Sequence, residues 1–162
     1  MSGAGATVAI TVSSDVHLSN FSLTITNGTT VPEFVAVHMP VDARRLRASG
    51  LQVRMQQTNV SNAFKVFGSG FELGPDNTVH QSGSCLYPNY GPDSDHTPFQ
   101  PSTLLYLQGA VGGWVHGNRF FWRCSMMDMD VSDRVVFEDN DITCTEEGVV
   151  PHGNSISGWG WG

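Results

Sequence analysis

Apolar and polar residues alternate in short runs along most of the chain. In "VHLSNFSLTI" (16–25), Val16 and Leu18 share one face, and a second alternating run begins after an odd step. "LRASGLQVRM" (46–55) and "VFGSGFEL" (66–73) show the same broken alternation. Because the side chains of a β-strand alternate with a period of two, an odd step requires a bend between two strands. The pattern therefore predicts short strands joined by corners that turn the chain without reversing it.

One of these patterns occurs twice. The segment "VHGNRFFW" (115–122) is followed by "FEDNDITC" (137–144), which has the same order of apolar and polar positions. The same spacing relates Leu105 to Met127 and Met127 to Val149. A period of about 22 residues, with corners between short strands, is typical of a solenoid. We therefore expect stacked coils in which Leu105, Met127 and Val149 form one buried column.

The corner inside each copy of the repeat carries an asparagine, Asn118 in the first copy and Asn140 in the second. Asn adopts the left-handed backbone conformation more readily than most residues do. We therefore expect both asparagines to take that conformation and to form the sharp turn between two strands of a coil.

The segments "VHLSNFSLTI", "VHGNRF" and "VVFEDNDI" resemble coils of the right-handed parallel β-helix found in the pectate lyase and polygalacturonase superfamily. The resemblance covers roughly residues 8–160 and implies an all-β fold with up to three strands in each coil. It provides no catalytic residue, because the sequence lacks the Asn-Thr-Asp, Asp-Asp, Gly-His-Gly and Arg-Ile-Lys motifs of polygalacturonases. An antiparallel β-sandwich is the alternative, since Asn27-Gly28 between β-forming residues is a strong hairpin signal.

The domain organisation follows from length and from the distribution of proline. A chain of 162 residues suffices for one domain with a sizeable core, so we expect a single β-helix domain over 1–162. Residues 74–102 hold five of the eight prolines and predict a long loop insertion. The strand that would match Ile142 in the next coil falls beyond the last residue. We therefore expect either a C-terminal truncation, with the remainder of a longer β-helix missing, or end-to-end self-association.

Charge and hydropathy exclude two classes of partner. The net charge is −7 and only eight residues are Lys or Arg, too few for the basic surface that nucleic acid requires. The locally basic "RRLR" (44–47) is typical of a solvated strand face, with Arg45 and Arg47 together on it. No apolar run approaches the roughly 18 residues of a membrane span. We therefore expect neither nucleic acid nor membrane as a partner.

The predicted location is the cell exterior or the cell surface. The first residues, "MSGAGA", lack the charged and apolar regions of a signal peptide, so we expect either that the protein is not secreted or that a processed segment without its signal peptide starts here. Three triplets have the form of N-glycosylation acceptors, which favours an extracellular setting. They begin at Asn20, Asn27 and Asn59.

The sharpest candidate for chemistry is "SMMDMDV" (125–131), in which Asp128 and Asp130 project from one face. Two close carboxylates can serve glycoside hydrolysis as acid and base, because one of them is pushed to keep its proton. The register of the repeat places His152 beside Asp130, where it would tune the catalytic pair. The same register adds two polar neighbours that would orient a sugar, Tyr106 and Gln108.

The same carboxylates also form a candidate Ca²⁺ site, since calcium takes oxygen ligands, and Asp133 is the third candidate ligand. No other cofactor is expected. Aromatic side chains on outward positions commonly stack on sugar rings, and the resemblance to pectate lyases makes Arg123 a candidate stand-in for their arginine base. The candidate substrate-binding residues of this kind are Trp114, Phe121 and Arg123.

The expected function is the binding of an extended polysaccharide along one sheet, because stacked parallel strands present a long ridged face that suits a linear polymer. Cleavage by hydrolysis or by a lyase reaction is a further candidate, which would make the protein a glycoside hydrolase or a polysaccharide lyase. The alternative is a non-catalytic structural, adhesive or cell-surface segment, in which the same residues only keep the face soluble.

Overall fold

A computed structural model describes residues 7–26, 33–56, 60–81, 103–122, 125–145 and 156–159. All regular secondary structure in these ranges is β-strand. The strands, numbered in chain order, form three sheets. Sheet A consists of β1 (Thr7–Thr11), β4 (Glu33–Met39), β7 (Val60–Val66), β10 (Thr103–Gln108), β13 (Ser125–Asp130) and β16 (Ile156–Trp159).

The other two sheets have five strands each. Sheet B consists of β2 (His17–Ser19), β5 (Arg47–Ser49), β8 (Glu72–Leu73), β11 (Val111–His116) and β14 (Asp133–Glu138). Sheet C consists of β3 (Ser22–Thr26), β6 (Gln52–Gln56), β9 (Thr78–Gln81), β12 (Arg119–Trp122) and β15 (Asp141–Cys144).

The chain visits sheets A, B and C in turn, and each strand pairs in parallel with its counterpart in the next coil. This is a parallel β-helix, as the sequence predicts. The antiparallel sandwich is wrong for the described ranges, since all their named strand pairs are parallel. The strands that flank Asn27-Gly28, β3 and β4, belong to different sheets and form no hairpin with each other. Right-handedness stays a prediction from the resemblance.

The period of the repeat holds between the fourth and fifth coils, where Leu105 pairs with Met127. Other coils differ in length, and the offset between the paired residues Val8 and Val35 is longer. The predicted partner of Met127, Val149, is wrong, because Met127 pairs with Ile156. Strand register is set by the hydrophobic face that must point inward, so residues added at a corner change the offset without moving the column. Val149 itself lies outside the described residues.

Apolar side chains stack in columns between the three sheets, and most are fully buried. One column in each sheet shows the pattern: Met39, Val66 and Leu107 in sheet A, Ala48, Leu73 and Val115 in sheet B, and Val53, Val79 and Phe120 in sheet C. The middle of sheet A is also buried on its outer side, where alternation places Ala36, Ala63 and Leu104. The outer side of sheet A therefore offers no exposed surface at these three positions.

The corner between sheets B and C differs from the prediction. The residues with the left-handed backbone are Gly117 (φ 59°) and Asp139 (φ 51°), each one position before the expected asparagine. The asparagines act through their side chains. Asn118 Nδ2 donates to Leu73 O at 2.8 Å and to Asn140 Oδ1 at 2.9 Å. The recurring Asn therefore links stacked coils, because a corner leaves backbone carbonyls without a strand partner.

A third asparagine extends this ladder by one coil. Asn77 lies directly before the residue that pairs with Arg119, so it stacks on Asn118. Its Nδ2 donates to Ala48 O at 2.7 Å, and its Oδ1 accepts from Leu51 N at 2.9 Å. We call Asn77, Asn118 and Asn140 the asparagine ladder.

The predicted loop at 74–102 begins too early. Residues Thr78–Gln81 form β9, which pairs with both β6 and β12 and completes the third coil. The residues before it, 74–77, make the corner between sheets B and C. The pattern concealed this strand, because prolines and glycines surround it. Residues 82–102 lie outside the described residues.

The inward columns end on half-exposed residues at one end of the solenoid. Phe137 and Ile142 continue the columns of Val115 and Phe120, yet they are 37% and 41% exposed. Their strands, β14 and β15, are terminal in sheets B and C. End-to-end self-association stays a prediction. In the part of the chain that the structure describes, no helix is long and apolar enough to cross a membrane.

Candidate functional site

The predicted acidic pair lies on the outer face of sheet A. Met127 points into the core, so alternation turns Asp128 outward. Tyr106 pairs with Asp128 and Gln108 with Asp130, as predicted, and Gln108 Nε2 donates to Asp130 Oδ2 at 3.4 Å. Tyr106, however, is only 4% exposed. This tyrosine therefore presents little surface with which to orient a sugar.

The structure does not bring the remaining predicted partners to this pair. The register partner of Asp130 in β16 is Trp159, so the predicted placement of His152 beside it is wrong, and His152 lies outside the described residues. Asp133 belongs to sheet B and accepts a hydrogen bond from Arg134 Nε at 2.8 Å. Within the described ranges, no group of three or more His, Cys, Asp or Glu residues could hold a metal ion.

The predicted sugar-binding residues lie on different faces. Trp114 is on the outer face of sheet B, whereas Phe121 is on sheet C, where its ring centroid lies 5.7 Å from that of His80. Arg123 lies outside the described residues. A polymer bound along one sheet would therefore contact Trp114 on sheet B, or Phe121 on sheet C, or the acidic pair on sheet A, but not two of these together.

The outer face of sheet B carries a trough of about 490 Å³. Its strand side follows one register row through four coils, from His17 to Arg47, Glu72 and Trp114. Its other side follows the corner between sheets A and B. The residues at that corner are Asp15, Arg45, Gly70 and Gly112.

This corner has the same left-handed backbone in successive coils, with φ between 57° and 67° from Asp15 to Gly112. Asp15 and Arg45 adopt it with full side chains, so the corner itself does not require glycine. A Cβ on Gly112 would meet no atom within 4 Å, and one on Gly70 would meet only atoms of Arg45. The two glycines therefore leave space above the backbone that a side chain could occupy. They keep the trough open.

Two ion pairs border the trough. The guanidinium of Arg45 binds both carboxylate oxygens of Asp15, and the Nη2 bond is 2.7 Å long. On the strand side of the trough, Arg47 Nε lies 3.2 Å from Glu72 Oε2, and His116 Nε2 lies 3.2 Å from Glu72 Oε1. Each carboxylate is thus held in place by a neighbour from another coil or strand.

Trp114 lines the trough and is 42% exposed, whereas Phe71, which also lines it, is only 2% exposed. Its ring stacks on His116, with centroids 3.7 Å apart and an interplanar angle of 18°. Its Nε1 donates to Glu138 Oε2 at 3.2 Å. Because one contact fixes the ring face and the other fixes its edge, the indole is preorganised while much of its surface meets solvent.

The Asp15–Arg45 pair predicts an acid-sensitive contribution to stability. Hydrogen bonds from Arg45, aided by its charge, hold the pKa of Asp15 below its usual value of 3.8. A carboxylate with a lowered folded-state pKa stabilises the fold above its unfolded pKa, and this contribution is lost as the pH falls through the folded pKa. We expect Asp15→Asn to be less stable than wild type at neutral pH and to approach it in acid well below 3.8. Urea unfolding at both pH values measures this, and a difference that is independent of pH would contradict it.

The sequence indicates only part of this trough. It predicts Trp114 to be exposed and ligand-binding, and Arg45 and Arg47 to share a solvated face. The structure confirms that both arginines line one surface. The acidic members, Asp15 and Glu72, escape the prediction because they come from coils whose offsets differ from the regular period: His17 pairs with Arg47, and Glu72 with Trp114. The residues at the left-handed corners, Asp15, Arg45, Gly70 and Gly112, share no residue type that would mark the corner in the sequence.

Comparisons of the chain with protein-family models, with curated proteins and with solved structures found no match.

Proposed function

We propose that the protein binds a linear polysaccharide and holds a short segment of it in the sheet B trough against Trp114. The observation that carries the proposal is the partly exposed indole, fixed by His116 and Glu138, beside a cavity that two glycines leave open. A fixed aromatic surface loses little conformational entropy when a ligand stacks on it. The apolar C–H face of a sugar ring matches such a surface.

The polar groups around the trough suit sugar hydroxyls. Arg45 and Arg47 are donors only, and Asp15 and Glu72 in their ionised form are acceptors only, so the rim presents both kinds of group side by side. The volume of about 490 Å³ falls within the range of roughly 300–1,000 Å³ that is usual for small-ligand sites.

We propose binding without cleavage. Asp128 and Asp130 lie on sheet A, around the corner from the trough, so a polymer seated against Trp114 does not run along them. Within the trough, Arg45 lowers the pKa of Asp15, and this favours the ionised form over the protonated form that a catalytic acid needs. A hydrolase or lyase reaction at the sheet A pair is the weaker proposal.

The superfamily, the location and the partners are part of the same proposal. The coil sequences support a relationship to the pectate lyase and polygalacturonase superfamily, and the acceptor triplets at Asn20, Asn27 and Asn59 support a secreted or cell-surface setting. A purely structural or adhesive segment is the competing function. With that function no glycan would occupy the trough, so a binding measurement distinguishes it from the proposed glycan binding.

The test is binding to an array of immobilised plant, fungal and bacterial wall polysaccharides, with wild type and Trp114→Ala. We expect at least one linear glycan to bind, and Trp114→Ala to weaken that binding about tenfold or more, as for a central aromatic contact. The matched control is Phe121→Ala, which removes a half-buried aromatic from sheet C and should retain binding. Absence of any glycan binding by folded wild type, or full binding by Trp114→Ala, would refute the proposal.

A further inference from the structure

We infer that the sugar held in the trough is neutral rather than a uronic acid, an inference that rests on the proposed function. The charged groups of the trough are arranged as pairs. Asp15 is bound to Arg45, and Glu72 to Arg47. The trough therefore carries two permanent positive and two negative charges, which cancel, within a chain of net charge −7.

Recognition of a sugar carboxylate needs a cation that is free to pair with it. A guanidinium is best matched by two parallel hydrogen bonds to one carboxylate. In Arg45 that geometry is already used, because its Nε and Nη2 both donate to Asp15. Arg47 contacts Glu72 through Nε. This Nε is one of the two donors that a guanidinium uses when it binds a carboxylate with two parallel hydrogen bonds. A uronate would have to displace Asp15 or Glu72, or else lie beside them at the cost of like-charge repulsion.

Neighbouring hydroxyls on a neutral sugar fit the pairs as they stand. A hydroxyl both donates and accepts, whereas a guanidinium only donates and a carboxylate only accepts. One hydroxyl can therefore accept from the remaining N–H groups of Arg45 while its neighbour donates to Asp15. The same arrangement of one guanidinium beside one carboxylate recurs at Arg47 and Glu72. No charge is left unpaired when such a ligand binds.

The test is a change of specificity. Binding is measured by calorimetry at about pH 8, above the ordinary pKa of histidine, with cellohexaose, xylohexaose and mannohexaose as neutral probes and hexagalacturonate as the acidic probe. We expect wild type to bind one or more neutral probes and not to bind hexagalacturonate measurably. The double variant Asp15→Asn with Glu72→Gln frees both arginines, so it should lose about tenfold or more in neutral-sugar affinity and gain hexagalacturonate binding.

Asp133→Asn is the matched control, because it removes a similarly exposed carboxylate paired with Arg134 outside the trough. It should leave both affinities unchanged. The single variant Asp15→Asn keeps the test valid if the double variant does not fold, and it should shift selectivity in the same direction.

The outcomes separate this inference from the proposed function. Binding of hexagalacturonate by wild type, lost in Trp114→Ala, would overturn the neutral-sugar inference and leave the glycan-binding proposal intact. Binding of none of the four probes by a wild type that also binds nothing on the polysaccharide array would overturn both. A selectivity equal in wild type and the double variant would overturn the inference, since the ion pairs would then have no role in it.

Discussion

Asn118→Ala is expected to lower the free energy of unfolding by about 2–4 kcal/mol, the largest effect we expect from a single polar residue of this fold. The side chain is 1% exposed and donates to Leu73 O and to Asn140 Oδ1. Removing it leaves the buried Leu73 carbonyl without this donor, which costs about 1–3 kcal/mol, and opens a cavity that adds to the loss. Urea unfolding followed by circular dichroism measures the change.

The ladder itself provides the control for this prediction. Asn140 makes an equivalent bond to Val115 O at 2.8 Å, but it is only partly buried. Asn140→Ala should therefore destabilise the protein less than Asn118→Ala does, because the Asn140 side chain is less buried and less packing is lost with it. If Asn118→Ala costs less than about 0.5 kcal/mol, the ladder does not hold the coils together as described.

Gly112→Asn is expected to reduce glycan binding at least about thirtyfold, or about 2 kcal/mol, while the fold remains intact. Asn tolerates the left-handed conformation that Gly112 adopts at φ 66°, and a Cβ there meets no atom within 4 Å. The new side chain would occupy the trough beside Trp114. Binding falls because the ligand loses its space, whereas no residue that contacts it has been removed.

The control for this steric test is Gly109→Asn. Gly109 also has a left-handed backbone, at φ 63°, and a Cβ there also meets nothing within 4 Å, but it does not line the trough. Gly109→Asn should bind the glycan as wild type does. Equal losses in both variants would show that a glycine at a corner, and not the open trough, is what binding requires.

The fold could be predicted from sequence because every second residue of a β-strand faces the core and is apolar. The pattern assigns Leu46, Ala48 and Leu51 inward positions on both sides of a corner, and all three are fully buried. "VFGSGFEL" (66–73) shows the same step but crosses the corner between sheets A and B, whereas "LRASGLQVRM" (46–55) crosses the one between B and C. Alternation reveals that a corner exists without revealing which corner it is.

The site was less accessible, because it combines residues from coils of unequal length. The period of the repeat correctly pairs Gln108 with Asp130, yet the same period fails one coil later, where Trp159 takes the place expected for His152. Residues can be added at a corner without disturbing the inward columns, so the sequence pattern alone does not determine which outward residues pair across neighbouring strands. The neighbours of Trp114 across the strands could be read only from the structure.

The most direct test of the account is the position of the bound sugar relative to the four tryptophans. Each indole N–H gives one signal in a ¹⁵N–¹H spectrum, and Trp114→Phe identifies the signal of Trp114. On titration with a glycan that the protein binds, we predict that the Trp114 signal shifts most and that the signal of buried Trp122 stays in place. An unmoved Trp114 signal at saturating glycan would contradict the claim that the sheet B trough is the binding site.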